Sequence, residues 1–191
     1  MSDVISIMIV GVGGQGTLLA SRILGKVCLD KGYDVKVSEV HGMSQRGGSV
    51  VTYVKYGKNV YSPIIDKGEA DFVLAFEQLE AYRALPYVKM GGTMIVNTQK
   101  MDPMPVITGA TTYPVDIIEK IKAKDLKLID VDGLALAKQA GNIKAVNVVL
   151  IGILAKTMDI EYNEWIETIK QIVPAKFLDV NLIAFDLGYN L

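Results

Sequence analysis

The sequence predicts an α/β fold: a Rossmann-like, doubly wound, mainly parallel sheet with a β-hairpin insertion and a helical C-terminus. Three observations carry this. Of 191 residues 50% are hydrophobic and only 7% aromatic, so the apolar content is mostly Val, Ile, Leu and Ala, as in a parallel sheet covered on both faces. Short apolar runs alternate with helical periodicities up to about residue 140. The first apolar run then opens directly into Gly11-Val-Gly-Gly-Gln-Gly-Thr17, a glycine-rich loop between a strand and a helix.

In chain order, residues 4–10 read as the first strand. Residues 15–31 read as a helix, because Leu19, Ile23 and Val27 recur every fourth position with Leu24 and Cys28 beside them, and Gly32 closes it. Residues 35–40 form a second strand. Residues 50–55 and 60–65 flank Tyr56-Gly-Lys-Asn59 and are expected to pair as a hairpin with a four-residue turn. A strand at 71–76, a helix at 78–89, a Gly91-Gly92 turn and a strand at 93–97 follow. Residues 100–113 contain Pro103 and Pro105 and read as a loop around a short strand at 106–108. A helix at 117–123, a strand at 126–130 and a helix at 134–140 complete the alternation. The last third is helical, at 147–157, 161–172 and 175–187, with Asn147 as an N-cap and Pro174 at a first-turn position. The length and the lack of a linker or repeat place residues 1–191 in a single domain.

Composition excludes several classes of function. Lys plus Arg number 20 and Asp plus Glu 21, a net charge of −1, so no basic bias invites nucleic acid or an anionic membrane. No run of about 18 apolar residues offers a membrane span, and no basic segment followed by a long apolar stretch suggests a leader, so a cytoplasmic location is expected. The single cysteine, Cys28, rules out a disulfide within the chain and a cluster held by about four thiolates. The mean hydropathy of +0.30 is high for a soluble chain and fits a covered sheet or a face buried against a partner.

Two loops concentrate the polar chemistry. In the first, Gly11, Gly13, Gly14 and Gly16 allow close backbone approach, Gln15 and Thr17 add hydrogen-bonding groups, and the following helix presents unpaired amides to an anion. Glu39, at the end of strand two, suits a dinucleotide ribose. From this motif alone three readings stay open: a nicotinamide or flavin dinucleotide, another phosphate-bearing group, or a tight turn with no ligand. The second loop, Glu39 to Ser49, is denser: His41, Met43, Ser44, Gln45 and Arg46 precede Gly47-Gly48. Arg46 offers a fork for a carboxylate or phosphate, and Gly47 and Gly48 let backbone approach what it holds. His41 is the only histidine; with no second ligand in sight it is a candidate acid or base rather than a metal ligand, and no metal site is expected.

Taken together, "GVGGQGT", "EVHGMSQRGGSV", "NVVLIGILAK" and "NLIAFDLGY" resemble, in this order, the gamma-type domain of 2-oxoacid:ferredoxin oxidoreductases. The resemblance spans almost the whole chain, and the phrase His41 to Gly48 points to the indolepyruvate branch. It implies a subunit of an enzyme that decarboxylates a 2-oxoacid, indolepyruvate or another aryl pyruvate, passes electrons through iron–sulfur clusters to ferredoxin and transfers the acyl group to coenzyme A. It further implies a larger alpha subunit carrying thiamine diphosphate, magnesium and the clusters. Val131-Asp-Gly133 with Asn142 and Asn147 lacks the first glycine and the spacing of a thiamine diphosphate motif. By this resemblance Arg46, Gln45, Ser44 and His41 are the candidate active-site residues. Gly11, Gly13, Gly14, Gln15, Gly16, Thr17, Gly47 and Gly48 are the candidate binding residues for coenzyme A. Expressed without its partner, such a chain is expected to self-associate through its exposed face. The competing readings are a free-standing NAD(P)-binding oxidoreductase and a non-enzymatic nucleotide-binding module, since fold does not decide function.

Overall fold

The computed structural model describes residues 4–41 and 48–191, and of His41 the backbone alone. Ser44, Gln45, Arg46 and Gly47 lie outside the described residues, as does Met43. The strands are β1 (Val4–Val12), β2 (Asp34–His41), β3 (Ser49–Gly57), β4 (Ala70–Ala75), β5 (Val88–Asn97) and β6 (Lys127–Val131). The helices are α1 (Thr17–Asp30), α2 (Gln78–Ala84), α3 (Met104–Ile107), α4 (Ile117–Lys122), α5 (Gly133–Gln139), α6 (Val146–Thr157), α7 (Tyr162–Ile172) and α8 (Leu178–Tyr189).

Among the described residues the strands form one six-stranded sheet in the order β2-β3-β1-β4-β5-β6. β1, β4, β5 and β6 run parallel, whereas β3 is antiparallel to both β1 and β2. The two-residue period of the strands divides the core. Ile7, Ile9, Leu74 and Ile95 face α1, α6 and α8, while Met8, Val10, Val73 and Met94 face α2 and α4. Helices on both faces confirm the doubly wound arrangement. α1 buries Ala20, Ile23, Leu24, Val27 and Cys28, a stripe at helical spacing, and ends in paired bonds, Gly32 N–H to Leu29 O and Tyr33 N–H to Cys28 O, that satisfy its last carbonyls. α6 is buried throughout from Val146 to Ala155, between the sheet and α8.

Four expectations need correction. The hairpin is β2–β3, closed through the second loop; residues 60–65 form no strand. Both edges of β3 are already occupied by β1 and β2, and Pro63 has no amide to offer a ladder, so this stretch packs instead: Ile65 is buried and the Val60 amide bonds the Asp34 carboxylate at 2.8 Å. Residues 106–108 are not a strand, because Pro105 falls in the first turn of the short α3, a position proline tolerates. The helix expected at 78–89 stops at Ala84, passes through a 3-10 turn containing Pro86, and gives way to β5 from Val88, which absorbs the expected Gly91-Gly92 turn. Asn147 is not a cap: a 3-10 turn over Ile143–Ala145 starts the helical segment earlier and leaves Asn147 inside α6.

Candidate functional site

At the carboxyl ends of the strands, β1 connects toward one side of the sheet and β4 toward the other, the place where open α/β sheets leave a crevice. A cavity of about 590 Å³ lies here, a size in the ordinary range for small-molecule sites. One side is the loop Gly13, Gly14, Gln15 and Gly16; the other is Gln99, Met101, Leu134, Ile143, Lys144, Val146 and Asn147, with Leu19 at the base of α1. The lining is thus largely apolar with one cation. Among the described residues the Lys144 ammonium makes no ion pair, and the amides of Gly14 and Gly16 make no hydrogen bond.

A polar network fixes the floor. The Gln15 carboxamide accepts from the Val12 amide at 2.7 Å and donates to the Phe76 carbonyl at 3.0 Å. Buried Asn97 donates to the same carbonyl at 3.0 Å and accepts from the Gly133 amide at 3.0 Å. The ends of β1, β4 and β5 and the start of α5 are therefore locked together, each buried polar group paired as burial requires. Gln15 is consumed in this bracing. Thr17 is buried and, like Gly11, stands outside the cavity lining.

The far wall is braced from α2. Buried Glu77 caps that helix by accepting from the Glu80 amide at 3.0 Å, and its other oxygen accepts from the Met101 amide at 3.1 Å and from the Tyr113 hydroxyl. Burial, and next the bond to Glu77, push the Tyr113 phenol above its usual range, so it remains a donor. Gln78 adds two ties, its amide to the Gln99 carbonyl at 3.1 Å and its side chain to the Thr98 carbonyl at 2.5 Å.

The two loops singled out in the sequence do meet. The Gly13 amide donates to the Gly48 carbonyl at 2.9 Å, and the next pair in the ladder is Val12 opposite Ser49. The Ser49 hydroxyl in turn donates to buried Glu80 at 2.6 Å, which also holds Arg83 at 2.5 Å. His41 ends β2 opposite Val50, at the root of the second loop. Glu39 is differently placed from a ribose-binding acid: β3 intervenes between β1 and β2, so β2 lies two strand spacings, about 10 Å, from β1 instead of one, and the Glu39 carboxylate accepts from Thr52 at 3.3 Å.

Lys144, Gln99 and Met101 carried no local signal in the sequence, since only tertiary packing brings the turn before α6 and the segment after β5, which α2 holds, to the cavity. Asp132 and Asn142, from the rejected thiamine diphosphate pattern, serve as caps, to the Ala135 amide and the Lys144 amide, each at 2.9 Å. Among the described residues no group of three or more His, Cys, Asp or Glu is placed to hold a metal ion, and Cys28 is buried in the core. These residues do not fit a magnesium site or an iron–sulfur cluster. Among the described residues no helix is long and apolar enough to cross a membrane.

Comparison with known proteins identifies the family and the fold. The family model for pyruvate ferredoxin/flavodoxin oxidoreductase matches residues 6–191. Indolepyruvate oxidoreductase subunit IorB of Thermococcus kodakarensis is 46% identical over 190 residues, covering 96% of this chain and 93% of that one. Subunit PORC of pyruvate oxidoreductase from Thermotoga maritima has the same fold, with a TM-score of 0.76 at 19% identity over 99% of this chain and 97% of that one. So does part of the 2-oxoglutarate:ferredoxin oxidoreductase of Magnetococcus marinus, solved with 2-oxoglutarate, coenzyme A and succinyl-CoA bound: TM-score 0.76, 18% identity, 100% of this chain and 32% of that one. The chain belongs to the pyruvate ferredoxin/flavodoxin oxidoreductase family, in the gamma-type group that includes the IorB subunits of indolepyruvate oxidoreductase.

Proposed function

We propose that this chain is the smaller subunit of an indolepyruvate, or broader aryl pyruvate, ferredoxin oxidoreductase, and that its two loops line one edge of an active site shared with a larger partner. The observation that carries the reading is the Gly13–Gly48 bond: it joins the loop bearing Arg46 to the glycine loop beside a cavity that Lys144 lines. In the assembled enzyme a 2-oxoacid loses carbon dioxide, its acyl group passes to coenzyme A, and two electrons leave through the clusters to ferredoxin. Thiamine diphosphate with magnesium, held by the partner, supplies the carbanion stabilisation.

The work left to this chain is binding and orientation. Arg46, with Gln45 and Ser44, is assigned to the 2-oxoacid carboxylate or to coenzyme A, where a guanidinium fork gives direction as well as charge. His41, at the root of that loop, is the titratable group nearest in sequence. The free amides of Gly14 and Gly16, at the N-terminus of α1, take a phosphate of coenzyme A, and Lys144 supplies the countercharge. The apolar wall of Leu19, Leu134 and Val146 suits the uncharged part of the same ligand. Coenzyme A bound in the Magnetococcus marinus relative supports this assignment of ligand class.

Arg46→Ala tests the shared site. It should leave the chain folded and able to join its partner, and lower turnover of the assembled enzyme by more than about tenfold. Turnover unchanged to within about twofold would remove Arg46 from the active site.

A further inference from the structure

Asn147 is out of character with its surroundings. It is the second residue of α6, and from Val146 to Ala155 every other residue of that helix is Val, Leu, Ile, Gly or Ala and buried. A carboxamide there costs free energy unless both ends are paired, and Asn is a poor former of helix interior. Both ends are paired, but not equivalently. The Oδ1 atom accepts from the neighbouring Val148 amide at 2.9 Å, a bond local to the helix. The Nδ2 atom leaves the helix and donates to the Gly16 carbonyl at 3.2 Å. Gly16 holds a left-handed conformation, φ +84°, and a Cβ there would lie 2.5 Å from that same Nδ2. The carboxamide occupies the space a side chain at residue 16 would need.

We propose that Asn147 is a positioning residue: its Nδ2 bond fixes the left-handed turn at Gly16 and thereby the aim of the loop amides at the cavity. Gly16 supplies the cap of α1 with no side chain to hold it, and its carbonyl already receives the Leu19 and Ala20 amides at 3.1 and 3.2 Å. The turn is therefore set by backbone bonds on the helix side and by Asn147 on the cavity side. Asn147 and Lys144 both line the cavity and are three residues apart on a continuous helical segment, so one rigid element carries both the cation and the brace of the loop. The kinetic consequence rests on the proposed placement of coenzyme A; the structural role does not.

The test uses Asn147→Ala and the isosteric Asn147→Asp, which keeps an acceptor for Val148 but has no donor for Gly16. Amide hydrogen exchange is followed across the chain, and KM for coenzyme A and kcat are measured in the assembled enzyme. Both variants should speed exchange at the hydrogen-bonded amides around the turn, those of Gly13, Gln15, Leu19 and Ala20, by about tenfold or more with exchange in β4 and α8 unchanged, and raise KM for coenzyme A with kcat preserved. Faster loop exchange with unchanged KM would uphold the positioning role and overturn the placement of coenzyme A. Loop exchange unchanged in both variants, or raised only in step with the whole chain, would overturn the positioning role.

Discussion

Asn147 and Gly16, 131 residues apart in sequence, meet through a 3.2 Å bond that joins the buried helix α6 to the glycine loop. The contact makes a quantitative prediction about two glycines of that loop. Gly16→Ala adds a methyl group at φ +84° and 2.5 Å from Asn147 Nδ2, so it incurs backbone strain and a clash, about 2–3 kcal/mol together. Gly14→Ala, at φ +101° with nothing within 4 Å, incurs backbone strain alone, about 1–2 kcal/mol. Urea midpoints should rank wild type above Gly14→Ala above Gly16→Ala, and Asn147→Ala should recover part of the Gly16→Ala loss. Equal losses at the two glycines would show that the Asn147 contact yields freely.

The α6–α8 crossing is set by backbone contact. A Cβ on Gly188 would lie 2.0 Å from the Val149 carbonyl oxygen, and backbone cannot move aside as a side-chain tip can. Gly188→Ala should force the helices apart, disturb the Trp165–Phe185 stack at 6.2 Å, and cost about 3 kcal/mol or more, read as a lowered urea midpoint with weakened near-ultraviolet dichroism.

Alkaline pH should destabilise the chain through Tyr162. Its phenol donates to Asp186 at 2.5 Å, and that bond, followed by burial, raises its pKa from 10.0 to about 12. The folded state holds the proton more tightly than the unfolded state, so this contribution is complete below pH 10 and is lost as pH climbs toward 12. Tyr162→Phe should flatten the fall of the urea midpoint across that window. An unchanged slope would remove the Tyr162–Asp186 bond from the balance.

Lys144 should govern affinity rather than rate. In the assembled enzyme Lys144→Ala is expected to raise KM for coenzyme A by about fivefold at low salt with kcat unchanged, the difference shrinking as ionic strength rises. Lys138→Ala, on α5 and outside the cavity, should leave both constants alone. A similar effect from both lysines would point to general charge rather than to this rim.

Much of this was legible in the sequence because short-range patterns decide it. The stripe Ile23, Val27, Cys28 and the run before Gly11 specify α1 and β1 wherever the rest of the chain goes. Residues 60–65 mislead because their pattern cannot report that β3 already has a neighbour on each side. Asn147 misleads for a related reason: a polar residue before an apolar run looks like a cap, and only the 3-10 turn ahead of it shows otherwise. The glycine loop and its partner loop announce themselves by composition, whereas Lys144 becomes part of the cavity only through packing between elements far apart in the chain.

The central claim, that this chain completes an active site it does not itself contain, is tested most directly by reconstitution. Indolepyruvate-dependent viologen reduction, measured anaerobically with coenzyme A and thiamine diphosphate, compares this chain, the proposed larger partner and the two combined. Activity confined to the mixture is the expected result. Equal activity from the larger partner alone would contradict the claim and leave the glycine loop to some other nucleotide chemistry.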